Sequence, residues 1–309
     1  MSALNIYAKR KLSSIMQTVR DRIIIVVLLG FWLAWIGCSS RAIAAPTDIH
    51  WTYQNQTGPD HWAELDPSFA TCKSGQAQSP IDLTATDSVD LVNPDFHYEP
   101  VPLNVLNNGH TIEVPYAPGS YALLDGERYD LRQFHFHSPS EHAIEGQAQP
   151  VELHLVHQSE SGELAVIAVL LQADSQLDTQ SNAQSNAQSN AQSNAQSSAQ
   201  SNAQSNSPPD STLTSYRELS RTLPFGKGEK IRTEKTINAK ELLPAQTTTY
   251  RYSGSLTTPP CTESVAWLVM TEPVQLPTKQ ILQYEKLLHR NNRPLQPLNH
   301  RHIEVDTSF

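Results

Sequence analysis

The residues best suited to chemistry stand together in Gln133-Phe134-His135-Phe136-His137. Successive side chains of a β-strand point to opposite faces, so His135 and His137 project from one face, about 6–7 Å apart. Two imidazoles at that separation can converge on one metal ion, and Phe134 and Phe136 are left to bury on the other face. A catalytic zinc takes three protein ligands and keeps a fourth position open for water. The third ligand is expected on a returning antiparallel strand, Val151-Glu-Leu-His-Leu-Val-His157, because Ser138 to Pro150 is long enough to turn the chain back. There His154 shares a face with Glu152 and His157 points the other way, which makes His154 the better ligand.

Such a strand pair needs a sheet to hold it, and the surrounding sequence reads as short alternating runs broken by turn residues. Pro102 to Leu106 and His110 to Val114 flank Asn107-Asn-Gly109, a strong hairpin signal. Tyr121 to Leu124, Asp125-Gly126 and Tyr129 to His137 repeat the pattern, and Leu164 to Leu171 is so apolar that it predicts a central strand. Glu241 to Ser255 and Val265 to Met270 read as strands around a rigid Thr257-Thr-Pro-Pro260 turn; Leu213 to Leu223 and Leu276 to His289 have helical spacing. Strands outnumber helices and no βαβ alternation appears. The expected fold is one mainly β domain over residues 45–309, on a large, mostly antiparallel central sheet with peripheral helices. Within it, about 174–210 is a repeated Gln-Ser-Asn-Ala tract with no large apolar residue to pack, expected to be a disordered loop insertion.

A net charge of -9 and a pI near 5.7 exclude a phosphate-neutralising surface, so no nucleic-acid partner is expected. Lys9, Arg10, Lys11, Arg20 and Arg22 precede an apolar run from Ile23 to Gly37, followed by Ala42-Ile-Ala44. Residues 1–44 therefore read as a signal peptide for export to the periplasm or exterior, and the run is short of the roughly 20 residues a membrane span needs. An uncleaved anchor, or lipidation at Cys38, is the alternative; no stable span is expected once the signal is removed. Cys72 and Cys261 then remain, with a single possible disulfide pairing or two free thiols.

Gln133-Phe-His-Phe-His137, Ser140-Glu-His142, Glu152-Leu-His-Leu-Val-His157 and Ser255-Leu-Thr-Thr-Pro-Pro260 together resemble the α-class carbonic anhydrases, exported bacterial-type members in particular. Gln78-Ser-Pro-Ile81, Asn107-Asn-Gly-His110, Val265-Ala-Trp267 and Asn291-Asn-Arg-Pro-Leu-Gln-Pro297 extend the likeness over nearly the whole chain after residue 44, outside the repeat tract. The resemblance implies a zinc lyase in which His135, His137 and His154 hold Zn²⁺ and zinc-bound hydroxide attacks carbon dioxide to give bicarbonate and a proton. Gln133 and Glu152 match residues that orient the ligand imidazoles. Thr257 matches a gatekeeper hydroxyl bonded to the carboxylate matched by Glu141. Val156, Val166, Leu256, Thr258, Val265 and Trp267 match the substrate pocket, His110 the proton shuttle, and Tyr53 and Asn108 residues that order its water path. Cys72 and Cys261 match the disulfide of exported members. Glu113 and Ser138 depart from the family's frequent residues at those places. Carbon dioxide and bicarbonate are the partners implied, and oligomeric state is not legible. A zinc-dependent esterase and a non-catalytic binding module on the same fold are the alternatives.

Overall fold

The computed structural model describes residues 49–84, 86–178 and 209–307. The expected signal peptide and most of the repeat tract lie outside the described residues. In chain order the strands are β1 (Thr86–Val89), β2 (Asp95–His97), β3 (Val101–Asn107), β4 (Ile112–Pro115), β5 (Tyr121–Leu124), β6 (Glu127–His137), β7 (Ala143–Ile144), β8 (Gln147–Ala148), β9 (Val151–Ser159) and β10 (Leu164–Asp174). After the repeat tract follow β11 (Lys230–Ile237), β12 (Thr249–Ser255), β13 (Glu263–Met270), β14 (Val274–Pro277) and β15 (Ile303–Asp306). All but β7 and β8 join one sheet in the path β1-β15-β12-β13-β10-β9-β6-β4-β3-β11, with β14, β2 and β5 off it. Pairing is antiparallel except for β1 with β15 and β10 with β13 and β14.

The central place expected of the apolar 164–171 run is where β10 sits, and its side chains explain why. Ala165, Ile167, Val169 and Leu171 enter the larger core, which the helices Asp210–Arg221 and Thr278–Leu288 help to cover. Val166 and Ala168 enter a second core with Trp267 and Val265. A strand buried on both faces has no polar face to show, so it reads as a continuous apolar run.

Strand β6 divides its faces differently. Phe134 and Phe136 are fully buried in the larger core, and Phe136 meets Tyr284 of the second helix with ring centroids 4.8 Å apart. His135 and His137 take the opposite face, as the alternation requires.

Several boundaries differ from the sequence expectation. Glu241 to Ser255 is not one strand: Ala239–Leu242 forms a 3₁₀ turn whose start is capped by Asn238, and β12 begins only at Thr249. Pro244, which lacks an amide donor, separates the two. Leu276 belongs to β14 and the helix starts at Thr278, after Pro277. Strand β11, mostly exposed and with four charged residues, is not among the expected strands because an edge strand has little apolar signal. Leu177, inside the span assigned to the repeat tract, is buried at 4 % exposure, so core packing extends past Asp174.

The N-terminal arm is fastened covalently. Cys72 and Cys261 form a disulfide (Cα–Cα 5.0 Å) that closes a 189-residue separation. They pack with Trp62 and Phe69, and Trp51 and Tyr53 lie against this cluster.

His157 is buried away from the metal-ligand face, as its strand parity predicted. Its Nδ1–H donates to the Leu155 carbonyl (2.9 Å) and its Nε2 pairs with the Tyr98 hydroxyl (2.7 Å), an arrangement that satisfies both nitrogens of a neutral ring. Burial pushes the imidazole down to about 4. A folded pKa below the unfolded value of about 6.5 gives stability that is complete above pH 6.5 and lost as pH falls toward 4, roughly 3 kcal/mol in all. The stability advantage of wild type over His157→Gln should therefore shrink by about that amount between pH 7 and pH 4 in denaturant titrations. Parallel pH profiles would refute the assignment.

Candidate metal centre

Strands β6, β9 and β4 bring the site together by register. His135 lies directly opposite His154 across the β6–β9 pair, His137 opposite Glu152, and Glu113 of β4 opposite His135. A register shift between Leu131 and Gln133 leaves Arg132 as the extra residue and sets the strand's later half in phase with β9. One ring nitrogen from each of His135, His137 and His154 lies within 4.8 Å of the others.

The remaining nitrogen of each ring is engaged. His135 Nδ1 bonds Gln133 Oε1 (2.8 Å), His137 Nδ1 donates to the Asn291 carbonyl (2.7 Å), and His154 Nε2 bonds Glu152 Oε1 (2.8 Å). Nε2 of His135, Nε2 of His137 and Nδ1 of His154 are left to converge. His137 Nε2 is buried and has no hydrogen-bond partner among the described residues. A buried nitrogen without a partner is costly, and a cation among three imidazoles would satisfy it. The three-histidine donor set, tautomers fixed from behind, fits a catalytic zinc. Burial keeps the rings neutral: it lowers His135 well below the ordinary range, helped by repulsion from His137 and His154, and takes His137 down to about 4.

Behind the triad sits Glu152, with no exposed surface. Its Oε1 bonds both His154 Nε2 and His142 Nδ1 (2.7 Å), and its Oε2 accepts the amides of Glu141 (2.7 Å) and His142 (2.8 Å). Burial alone would raise this carboxyl, but His142 and His154 outweigh it and hold Glu152 well below the usual carboxylate range. His142 Nε2 continues the network to the Tyr252 hydroxyl (2.6 Å).

Glu141 is also buried, and its Oε1 accepts the Arg293 amide (2.8 Å). Burial pushes it up to about 7 against the downward pull of His154, the Arg293 amide and the Thr257 hydroxyl. Thr257 is thus beside Glu141, in a turn closed by Cys261 N to Thr258 O (2.9 Å) and Leu256 N to Thr262 O (2.9 Å). An apolar wall flanks the triad: Val166, Val265 and Trp267 are buried together, and Val156 and Leu256 pack against them. The Trp267 ring lies 4.9 Å from His154, with its Nε1–H on the Ser255 carbonyl (2.9 Å).

His110 stands at the rim, stacked on Trp51 with centroids 3.8 Å apart, and not in the ligand cluster. Tyr53 bridges inward, edge-on to Trp51 (5.4 Å) and to His137 (6.5 Å). Asn108 is committed to the turn: its Oδ1 accepts the amides of His110 and Thr111 (both 2.9 Å), and its Nδ2 donates to Glu113 Oε2 (3.2 Å). Glu113 therefore orients the amide that shapes the His110 turn.

Residues 57–307 match the sequence profile described as eukaryotic-type carbonic anhydrase. The chain belongs to that family. It is 38 % identical over 270 residues to a carbonic anhydrase of Nostoc sp., covering 85 % of this chain and 88 % of the relative, and 36 % identical over 265 residues to one of Pectobacterium carotovorum (84 % and 93 %). Among solved structures, the α-carbonic anhydrase of Thermovibrio ammonificans, in complex with the inhibitor sulfanilamide, is 35 % identical with a TM-score of 0.69 and covers 84 % of this chain and 100 % of that one. Dioscorin, complexed with ascorbate, shares the architecture at 25 % identity and a TM-score of 0.66, covering 84 % and 99 %.

Three carbonic anhydrase site features went unassigned in the sequence. Asn291 supplies its carbonyl to His137, its Oδ1 to the Ser138 amide (2.9 Å), and its Nδ2 to the carbonyls of His110 (3.0 Å) and Phe136 (2.9 Å). Arg293 holds Glu141 by its backbone amide and reaches Gln78, Ser79 and Cys72 with its guanidinium. His142 completes the Glu152 network. Asn291-Asn-Arg293 meets partners 150 or more residues away and His142 reaches Tyr252 110 residues on, so neither leaves a local pattern.

Replacing Glu152 by Gln removes the charge that His142 and His154 share. Metal affinity should fall by about 10- to 100-fold, read by competition against a chelator. Unchanged affinity would show that Glu152 does not position His154.

Proposed function

We propose that this chain catalyses the reversible hydration of carbon dioxide to bicarbonate and a proton, on a zinc ion held by His135, His137 and His154. When bound, zinc makes water a nucleophile near neutral pH. The observation that carries the reading is the convergence of three histidine nitrogens, one of them buried and without a hydrogen-bond partner among the described residues, in a family of carbonic anhydrases.

The chain's own residues do the rest. Gln133, the Asn291 carbonyl and Glu152 fix the tautomer and tilt of the three rings. Glu141, held by the Arg293 amide, stands beside Thr257; accepting from that hydroxyl, it would leave the threonine oxygen as the acceptor facing the metal side. That arrangement selects a group with a proton to donate. The wall of Val156, Val166, Leu256, Val265 and Trp267 gives a small apolar substrate a dry berth, with Thr258 beside the gatekeeper. His110 passes the released proton outward, along a path edged by Tyr53 and Asn108; an imidazole suits the task because it titrates near neutrality. We further propose that residues 1–44 direct export; the Cys72–Cys261 disulfide favours an oxidising compartment. No helix among the described residues is long and apolar enough to cross a membrane.

A binding module would have no need of a fully retained ligand set. Metal analysis and carbon dioxide hydration of His154→Ala beside wild type decide the matter: loss of both zinc and activity is expected, and full activity in the variant would overturn the assignment. His110→Ala should lose on the order of tenfold or more of its rate in dilute buffer and recover in concentrated imidazole. The mass of the mature N-terminus tests export.

A further inference from the structure

Gln78 is nearly inaccessible, at 3 % exposure, and both polar atoms of its side-chain amide are engaged. Its Oε1 accepts from the Arg293 guanidinium (2.9 Å). Its Nε2 donates to the Cys261 carbonyl (3.0 Å) and to Glu263 Oε1 (3.0 Å). These partners dictate which way the amide points, because a guanidinium only donates and a carbonyl or carboxylate only accepts. Turned over, the amide would set donor against donor and acceptor against acceptor.

The partners belong to two different parts of the site. Arg293, 2 % exposed, reaches the carbonyls of Ser79 (2.8 Å) and Cys72 (2.8 Å) with the same guanidinium, while its backbone amide holds Glu141 Oε1 (2.8 Å). Cys261 and Glu263 lie at the end of the turn that carries Thr257. Glu263 Oε1 also accepts the Ala77 amide (2.7 Å). Beside it, Ser79 and Ser255 exchange reciprocal bonds, Ser79 N to Ser255 Oγ (2.9 Å) and Ser255 N to Ser79 Oγ (3.1 Å). Two glycines make room for this joint. A Cβ on Gly75 would fall 2.4 Å from Gln78 Nε2 and 2.5 Å from Glu263 Oε1, and one on Gly254 would fall 2.1 Å from Ser79 Oγ.

The turn needs an external hold. Cys261 and Ser264 both have left-handed backbones (φ 58° and 69°), which cost non-glycine residues about 1 kcal/mol each and persist where the surroundings over-determine them. The disulfide fastens the Cys261 side chain but does not by itself set the direction of its peptide. The bond from Gln78 to the Cys261 carbonyl does. We propose that Gln78 is a positioning residue for the hydration reaction: by bridging Arg293 to the Cys261 and Glu263 end of the turn, it sets the separation of Glu141 and Thr257. The proposal rests on the reading of Thr257 and Glu141 as the pair that selects a group with a proton to donate.

The test uses the purified, zinc-loaded protein. Gln78→Glu keeps the acceptor for Arg293, removes the donor to Cys261 and sets a carboxylate against Glu263. Adding Glu263→Gln restores a donor and an acceptor across the same gap. The turn is read from the indole N–H NMR resonance of Trp267, which donates to the Ser255 carbonyl (2.9 Å). Gln78→Glu should shift that resonance and lower kcat/KM for carbon dioxide about tenfold. Thiocyanate, an anion with no proton to donate, should inhibit it at lower concentration than wild type. The double variant should recover most of all three. A wild-type resonance and kcat/KM in Gln78→Glu would overturn the proposal. So would a double variant that regains the wild-type melting temperature without regaining kcat/KM, because Gln78 would then serve stability alone. Where Gln78→Glu does not fold, Gln78→Met, similar in length and uncharged, takes the same measurements, and failure of both to fold also overturns the proposal. If wild type failed to hydrate carbon dioxide, the functional reading would fall, while the Trp267 resonance would still decide whether Gln78 sets the turn.

Discussion

The whole site depends on keeping one carboxylate, Glu152, ionised without any contact with water. A buried charge of this kind is tolerable only when its oxygens are fully bonded, and here four donors converge on it from His142, His154 and two backbone amides. The same bonds do structural and chemical duty. They pin the turn at Glu141 and His142 to β9, and they fix which nitrogen of His154 faces the other two rings.

Around that charge the sheet separates two environments by side-chain parity alone. Phe134 and Phe136 anchor β6 in the larger core, so His135 and His137 cannot rotate out of their face without unpacking fully buried rings. Strand β10 supplies the adjacent wall, with Val166 and Ala168 on the site's side and Ile167 and Val169 in the larger core. An apolar wall thus lines one side of the polar cluster, and Trp51 stacks on His110 at the rim.

The rim is assembled from segments distant in sequence. The disulfide fastens the arm that carries Trp51 and Tyr53 to the turn that carries Thr257, and Arg293 reinforces the joint by reaching the Cys72 carbonyl (2.8 Å) while its amide holds Glu141. The positions of Thr257 and His110 are therefore mechanically linked. Glu113, on the strand next to His135, adds a further link through Asn108 to the His110 turn.

Much of this was legible in the chain itself wherever a periodicity of two decides a face. The His-x-His spacing, the parity that separates His154 from His157, the central place of the 164–171 run and the Asn-Gly turn before His110 all follow from local alternation, and the ordered motifs carry the family. Boundaries blurred where local signals conflict, as at the 3₁₀ turn before β12, at Leu276, and along the charged edge strand β11. Only the tertiary structure decided that the Asn291 carbonyl orients His137, that the Arg293 amide holds Glu141, and that Lys227 lies over Gly109 beside His110. Backbone carbonyls and amides are the same in every residue type, so a site that recruits them across 150 residues leaves no mark in the sequence until the sheet register brings them into contact.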